Sequence, residues 1–302
     1  MRILVTGATG FLGTHLTLEL AERKISFCAL VRSNSNREHL DRLKVECREG
    51  DLTDASSLLP ITDGCDAVIH LAAAADISNP KINSEVNIQG VSNLIDACRS
   101  SGTERVIFLS STCATRKYRD AYGKSKLEGE HLFNESGLQV TIFRPTMIYG
   151  AGSKEFSTFI HTIRRLPVVP LIGPGTYRIR PSYVGDVIPA FINALTRDES
   201  IGKTYDIAGR DATSFNEFVQ LIARLWGRSR VLCHLPAGPS LLLAKLLGKA
   251  MKKPPVTVDQ VMAFLQDTEV DISTAERDFD FAPRSLSDGL PLVLEEMGFP
   301  PA

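Results

Sequence analysis

Thr6-Gly7-Ala8-Thr9-Gly10-Phe11-Leu12-Gly13 stands between the apolar run Ile3-Leu4-Val5 and a segment, Phe11–Arg23, whose apolar residues recur at helical spacing. Glycines at that spacing in a strand-to-helix turn have distinct uses. One allows the tight turn, one lets the backbone approach a ligand, and one lets helix and strand pack closely. Free N–H groups at the helix start then suit an anion such as a pyrophosphate. A glycine-rich turn without a ligand looks the same locally. Gly7, Thr9, Gly10, Phe11, Leu12 and Gly13 are candidate dinucleotide-binding residues.

Outward from this turn, short β-branched runs alternate with longer periodic segments, the pattern of a parallel sheet covered by helices. Strands are expected at Ile3–Thr6, Phe27–Val31, Val45–Arg48, Ala67–Leu71, Val106–Ser110 and Val140–Arg144. These runs are apolar almost throughout, as in strands buried on both faces. Helices are expected at Phe11–Arg23, near Asn36–Leu43, and at Ile82–Ser100 and Ala121–Glu135, with a short turn after Asp54. Past Gly150 the alternation breaks into Pro- and Gly-rich sequence, then a strand at Tyr205–Ala208, a helix at Asn216–Trp226, and smaller helices separated by Pro236, Pro239 and Pro254-Pro255. The expected class is α/β: a doubly wound parallel sheet of Rossmann type with a smaller C-terminal α/β substrate-binding domain. Residues 1–150 form the NAD(P)-binding domain, 183–208 return to it, and 151–182 with 209–302 form the smaller domain.

Composition narrows the function. The 302 residues carry 34 basic and 35 acidic side chains, a net charge of −1. Neither a strongly basic block nor a high pI appears, so a nucleic-acid partner is not expected. Six cysteines (Cys28, Cys47, Cys65, Cys98, Cys113, Cys233) lack paired spacing and six histidines lack ligand spacing. Reduced thiols, a cytoplasmic location and no metal are expected. The sequence from Met1 does not read as a signal peptide, and no apolar run approaches the ~18 residues of a membrane span.

Further cofactor residues follow from the strand ends. Arg32 follows the second strand, where an acidic side chain would bond the ribose 2′-hydroxyl of NAD. An arginine instead offers a fork for a 2′-phosphate, with Arg37 able to assist, unless it is simply solvated there. The expected cofactor is NADP, with NAD allowed. Asp51, followed by Leu52, could accept a bond from the adenine amino group, or serve as a helix cap, a role Asp54 fills more naturally. The fourth strand ends in Leu71-Ala72-Ala73, whose small residues would let a dinucleotide lie close against the sheet edge, although small alanines are also common in cores.

Tyr122 and Lys126 in Tyr122-Gly123-Lys124-Ser125-Lys126 share one helix face. A phenol near pKa 10 is a poor acid or base at neutral pH, and a neighbouring ammonium would lower that value. The same lysine can bond the nicotinamide ribose. Thr112, with Ser111 as the alternative, would place a hydroxyl against the substrate oxygen.

Together these residues resemble the extended short-chain dehydrogenase/reductases, the NAD(P)-dependent epimerase/dehydratase family, over essentially the whole chain. The matching pieces are the glycine turn, Gly50-Asp51-Leu52, Val86-Asn87-Ile88-Gln89-Gly90, Leu109-Ser110-Ser111-Thr112, Tyr122–Lys126, and Arg144-Pro145 with Tyr149-Gly150. The resemblance implies that Tyr122 is the acid/base, Lys126 its partner and a ribose ligand, and Thr112 the substrate-orienting hydroxyl. Pro145 joins the cofactor-binding set. Asn87 lies on the helix beside the site, as a packing amide or with a catalytic part. Family members commonly dimerise through the helices holding Ile82–Ser100 and Ala121–Glu135. Residues 178–187 and Pro255–Val261 also resemble the atypical branch that includes the respiratory complex I accessory subunit.

Three departures bear on the substrate, expected to be a small molecule. Cys113-Ala114 replaces the Asp-Glu pair of sugar dehydratases, which argues against dehydration. Met147 replaces an asparagine that supports the diphosphate of nucleotide sugars, although Arg178 and Arg180 could bind phosphates or lie in a solvated strand. Thr115-Arg116 replaces a Tyr-Gly pair that lines the substrate side. Asp186 is read as a cap or brace. The expected activity is NADP(H)-dependent hydride transfer on a carbonyl or hydroxyl, against two alternatives: a nucleotide-sugar epimerase that retains its cofactor, and a non-catalytic NADPH-binding protein. Leu241–Lys253, apolar with lysines at Lys245, Lys249, Lys252 and Lys253, reads as an amphipathic helix over the substrate pocket rather than one lying on a membrane.

Overall fold

The computed structural model describes residues 1–75, 79–251, 257–263, 265–268 and 270–301. Strands β1 (Arg2–Thr6), β2 (Ser26–Val31) and β3 (Glu46–Glu49) alternate with helices α1 (Phe11–Glu22), α2 (Glu38–Arg42) and α3 (Ala55–Thr62). After β4 (Ala67–His70) come α4 (Pro80–Ser84), a π-helical turn at Glu85–Gln89, α5 (Gly90–Ser101), β5 (Arg105–Leu109), α6 (Ala121–Asn134) and β6 (Gln139–Pro145). The sheet has seven strands, all parallel, in the order β3-β2-β1-β4-β5-β6 followed by the strand Thr204–Ile207. This is the Rossmann-type α/β fold expected. The order reverses between β1 and β4, which opens a crevice at their carboxyl ends.

The continuous apolar strands divide their side chains between two cores. Ile3 and Val5 of β1 and Ala67 and Ile69 of β4 pack in one with Leu16 and Leu20 of α1. Leu4 and Val68 point the other way and meet Leu58 of α3 and Leu94 of α5.

Some expected elements change. The short turn after Asp54 is a helix of eight residues, capped by the Asp54 carboxylate, which accepts from Ser56 N–H at 3.0 Å. The single helix expected over Ile82–Ser100 is interrupted by the π turn, the kind of one-residue insertion that recurs at functional sites. The helix expected at Asn216–Trp226 runs Phe215–Arg224, fixed at its start by a capping box between Ser214 and Glu217.

Past β6, the strands Val168–Ile172 and Val231–Leu235 pair in parallel, and helices Lys154–Arg165 and Ala237–Ala250 belong to the same part of the chain. Asp186 braces its helix to the C-terminal segment: its carboxylate accepts from Arg284 Nε at 2.8 Å and Arg284 N–H at 2.9 Å. No helix among the described residues is long and apolar enough to cross a membrane. Lys252 and Lys253 lie outside the described residues, as do Pro254, Pro255 and Val256.

Candidate active site

The glycine turn is built by close approach. Gly7 sits at φ +71°, and a side chain there would place its Cβ 2.7 Å from Ala72 N. At Gly13 a Cβ would fall 2.1 Å from the Gly7 carbonyl oxygen. The end of β4, the turn and the first turn of α1 thus pack more tightly than any side chain permits. Gly10 differs: it is exposed, and a Cβ there would meet only Gly7 O, at 3.3 Å. Gly10 opens α1 with no side-chain cap and no acidic residue in the first turn, so the helix start keeps donors for an anion. Thr9, Phe11 and Leu12 are half-buried around it, and Leu71, Ala72 and exposed Ala73 form the opposite lip of the crevice.

At the end of β2, Arg32 is exposed and lies close enough to Asp51 to help hold its carboxyl below the usual range. The larger cause is Thr53, whose N–H and hydroxyl donate to Asp51 Oδ1 at 2.9 and 2.8 Å. Leu52 is buried against α5, where a Cβ on Gly90 would come within 2.9 Å of it, and its carbonyl accepts from Asn93 at 2.8 Å.

Tyr122 and Lys126 lie on α6, whose start is capped by the Asp120 carboxylate accepting from Gly123 N–H at 2.7 Å. Gly123 lets α6 press on the turn after β5, since a Cβ there would stand 2.5 Å from Cys113 O. That approach brings the phenol to the Ser111 hydroxyl. Burial raises the Tyr122 pKa, Cys113 and Asp120 add to the rise, and the Ser111 hydrogen bond opposes it. Lys126 is buried, with Nζ 4.4 Å from the centre of the Phe108 ring and no hydrogen bond to a described residue. Burial pushes its pKa down to about 7, against the pull of Glu130 one turn on. The expected lowering of the Tyr122 pKa by Lys126 is therefore not what the protein displays. Desolvation is the largest influence at both groups, and the amine leans over Phe108.

Thr112, read from the sequence as the orienting hydroxyl, is buried and donates to Pro145 O at 3.2 Å. The hydroxyl beside Tyr122 is that of Ser111. Asn87 is a clamp: its amide oxygen accepts from Ala74 N–H at 2.8 Å, and its Nδ2 donates to Ala74 O at 2.7 Å and Ser125 Oγ at 2.9 Å. The π turn carries this residue, so the helix distortion serves to join the loop after β4 to α6.

Two buried features carried no sequence signal of their own. His70, at the end of β4, meets Thr6 Oγ1 through Nδ1 at 2.7 Å, while its Nε2 is buried without a partner. Burial, aided by Lys126, pushes its pKa down to about 3, so the ring is neutral. Glu130 accepts from Ser110 Oγ and from both Nε and Nη2 of Arg144, a buried forked ion pair tying α6 to β5 and β6. The Lys126–Glu130 spacing and the Arg144-Pro145 pair are the only traces of it in the sequence.

Past β6, Arg180 spends its guanidinium on the carbonyls of Gly209 (3.0 Å), Val270 (2.8 Å) and Arg210 (3.4 Å). Arg178 donates to Ala212 O at 3.1 Å. A cavity of about 130 Å³ is lined by Arg116, Met147, Tyr177, Ile179 and Phe215 among others. The 116–118 loop is held over it by Tyr118 Oη donating to Asp259 Oδ1 at 2.5 Å and by Gln266, which bonds both the N–H and the carbonyl of Tyr118.

The geometry suits a dinucleotide, and comparison with known proteins agrees. Residues 3–208 match the family described as NAD dependent epimerase/dehydratase. The chain belongs to that family, whose members related to it are enzymes. It is 30% identical over 250 residues, 82% of this chain and 77% of that protein, to the ceramide reductase of Caulobacter vibrioides. It is 26% identical to the N-acetyl-α-D-glucosaminyl-diphospho-ditrans,octacis-undecaprenol 4-epimerase of Escherichia coli O157:H7, over 97% of this chain and 94% of that one. The UDP-glucuronic acid 4-epimerase of Bacillus cereus, solved with UDP-glucuronic acid and NAD, shares the fold with a TM-score of 0.77 at 23% identity, covering 99% of each chain.

Proposed function

We propose that this protein is an NADP(H)-dependent oxidoreductase acting on a carbonyl or hydroxyl, with Tyr122 as acid/base. The observation that carries the proposal is the buried Lys126 amine, which has no hydrogen bond to a described residue and stands one helical turn from a Tyr122 phenol already paired with Ser111. A buried cation gains from an acceptor, and a ribose hydroxyl could offer one here. The bound nicotinamide supplies or accepts the hydride. Lys126 holds the ribose, Ser111 orients the substrate oxygen, and Tyr122 gives or takes its proton. The start of α1 receives the pyrophosphate, Asp51 and Leu52 the adenine, Arg32 the 2′-phosphate, and Leu71, Ala72, Ala73 and Pro145 flank the crevice. Residues 1–150 with 183–208 form the cofactor domain in this reading, and 151–182 with 209–302 the substrate domain.

The substrate is proposed to carry a substantial apolar portion. Arg180 is occupied by three carbonyls, Met147 offers no amide, and the wall beside the 116–118 loop is largely apolar. The ceramide in one relative's name supports an apolar portion, while the other relative's name joins an apolar undecaprenol chain to a diphosphate and a sugar. A second reading, nucleotide-sugar epimerisation with the cofactor retained, draws on the UDP-glucuronic acid bound by a protein of the same fold.

Calorimetric titration with NADPH and NADH, then with UDP-sugars on the loaded protein, separates the two. Binding of NADPH without UDP-sugar supports the reductase, and UDP-sugar binding makes epimerisation the better reading. In Tyr122→Phe, turnover is expected to fall about 10²–10⁴-fold with NADPH affinity kept. Unchanged turnover would remove Tyr122 from the chemistry.

A further inference from the structure

The helix Ala237–Ala250 is apolar on its outward side as well as its inward side, unlike a helix that serves only the interior. A surface helix ordinarily turns its apolar stripe to the core and its charges to water. Here Ala244 is buried and Leu241 and Leu247 half-buried, while Leu242, Leu243 and Leu246 are 60%, 51% and 57% exposed. Leu242 and Leu246 stand one turn apart with Leu243 beside them, so the three form one outward patch. Lys245 flanks this patch and is also exposed. Val231 and Leu235, on the strand leading into the helix, and Met251 just after it are exposed as well. None of these side chains lines the cavity beside the 116–118 loop.

Charge identifies what such a face would meet. Between Glu217 and Asp259 the sequence contains Arg224, Arg228, Arg230, Lys245, Lys249, Lys252 and Lys253 and not one Asp or Glu, in a chain whose net charge is −1. Arg228 and Arg230 are partly engaged by the carbonyls of Arg164 and Ile163, Lys245 is exposed on the helix itself, and no carboxylate within the stretch offsets these cations. Exposed leucines bordered by lysine match an anionic lipid surface, where acyl chains take the leucines and headgroups the ammonium groups. A twofold pairing of the same face would instead set Lys245 near its own copy. At ~1.5 Å per residue the 14-residue helix is about 21 Å long, too short to cross a bilayer core of about 30 Å but long enough to lie on one.

We propose that Ala237–Ala250 docks this protein on the surface of an anionic bilayer, with Leu242, Leu243 and Leu246 in the headgroup boundary. The inference does not depend on the oxidoreductase reading, and its test measures binding rather than turnover. The full chain is sedimented with sucrose-loaded vesicles of phosphatidylcholine alone or with a quarter phosphatidylglycerol. Binding at least tenfold stronger to the anionic vesicles, reduced at least tenfold in Leu242→Ser/Leu246→Ser and weakened in Lys245→Glu, is the expected result. Both variants replace exposed residues, so unchanged melting temperatures should accompany the loss. No binding to anionic vesicles overturns the proposal, as does equal binding by wild type and the leucine variant. Light scattering that shows a dimer dissolved by the leucine variant, without vesicle binding, assigns the face to a second copy and equally overturns it.

Discussion

Replacing Lys126 by Met removes a buried amine whose charge the fold resists. The pKa falls from its ordinary 10.5 to about 7, and burial is the principal cause. At ~1.4 kcal/mol per pH unit, that gap corresponds to about 5 kcal/mol by which folding disfavours the ammonium. The sign is set by proton counting. Below about pH 7 both folded and unfolded chains hold the proton, and the fold carries the full cost. Between pH 7 and 10.5 the unfolded chain holds a proton that the folded chain has lost, so wild-type stability rises by ~1.4 kcal/mol per unit relative to the variant. Lys126→Met is therefore expected to be more stable by about 5 kcal/mol at pH 6, with the advantage shrinking to about 2 kcal/mol at pH 9. Urea unfolding of both proteins from pH 6 to 9.5 measures the difference, and subtraction cancels the other titrating groups. Parallel curves, or a more stable wild type at pH 6, would refute the reasoning. The variant should also lose turnover, because the same amine is proposed to hold the ribose.

Ser111→Ala should lower turnover by about 10²-fold or more, while Thr112→Ala should chiefly lower stability by about 1 kcal/mol, the net value of its bond to Pro145 O. Steady-state rates beside thermal melts decide this, and the reverse pattern would return the orienting role to Thr112. Arg32→Ala should weaken NADPH binding about 10–100-fold, the value of a charge-assisted contact, and leave NADH within a few-fold. Equal effects on both would remove the 2′-phosphate assignment. Gly13→Ala would drive a methyl to within 2.1 Å of Gly7 O, so calorimetry should find dinucleotide binding lost even where the chain folds.

Five of the six strands in the first half were legible because burial on both faces leaves short, nearly unbroken apolar runs, whereas β3 at the sheet edge reads Glu46-Cys47-Arg48-Glu49 and is only half-buried. Their ends shift by a residue or so, as at β3, which runs Glu46–Glu49. The π turn at Glu85–Gln89 was not legible. Its cause is the reach of Asn87 to Ala74 and Ser125, the latter 38 positions away, and helical periodicity holds no record of such contacts. Cys28 and Cys65 likewise show no paired spacing, yet adjacent segments of the fold bring their sulfurs within 3.6 Å. Ser111 and Thr112 are neighbours of similar chemistry. Only the turn after β5, pressed by Gly123 of α6, decides which hydroxyl meets the phenol and which is spent on a carbonyl.

The substrate side was harder to read for a further reason. A sequence reports that Arg178 and Arg180 carry charge, but not whether that charge is spent. Phosphate recognition needs a guanidinium fork that is free to turn toward the ligand. Arg180 has its Nε, Nη1 and Nη2 directed to carbonyls on three different residues, so a phosphate could recruit it only by breaking the contacts that join the 209–210 and 270 segments. That cost bears on diphosphate-bearing substrates and not on apolar ones. Arg180, one of the two arginines that pointed toward a phosphate in the sequence, is thus engaged within the fold, and Met147 is exposed on the wall of the same cavity.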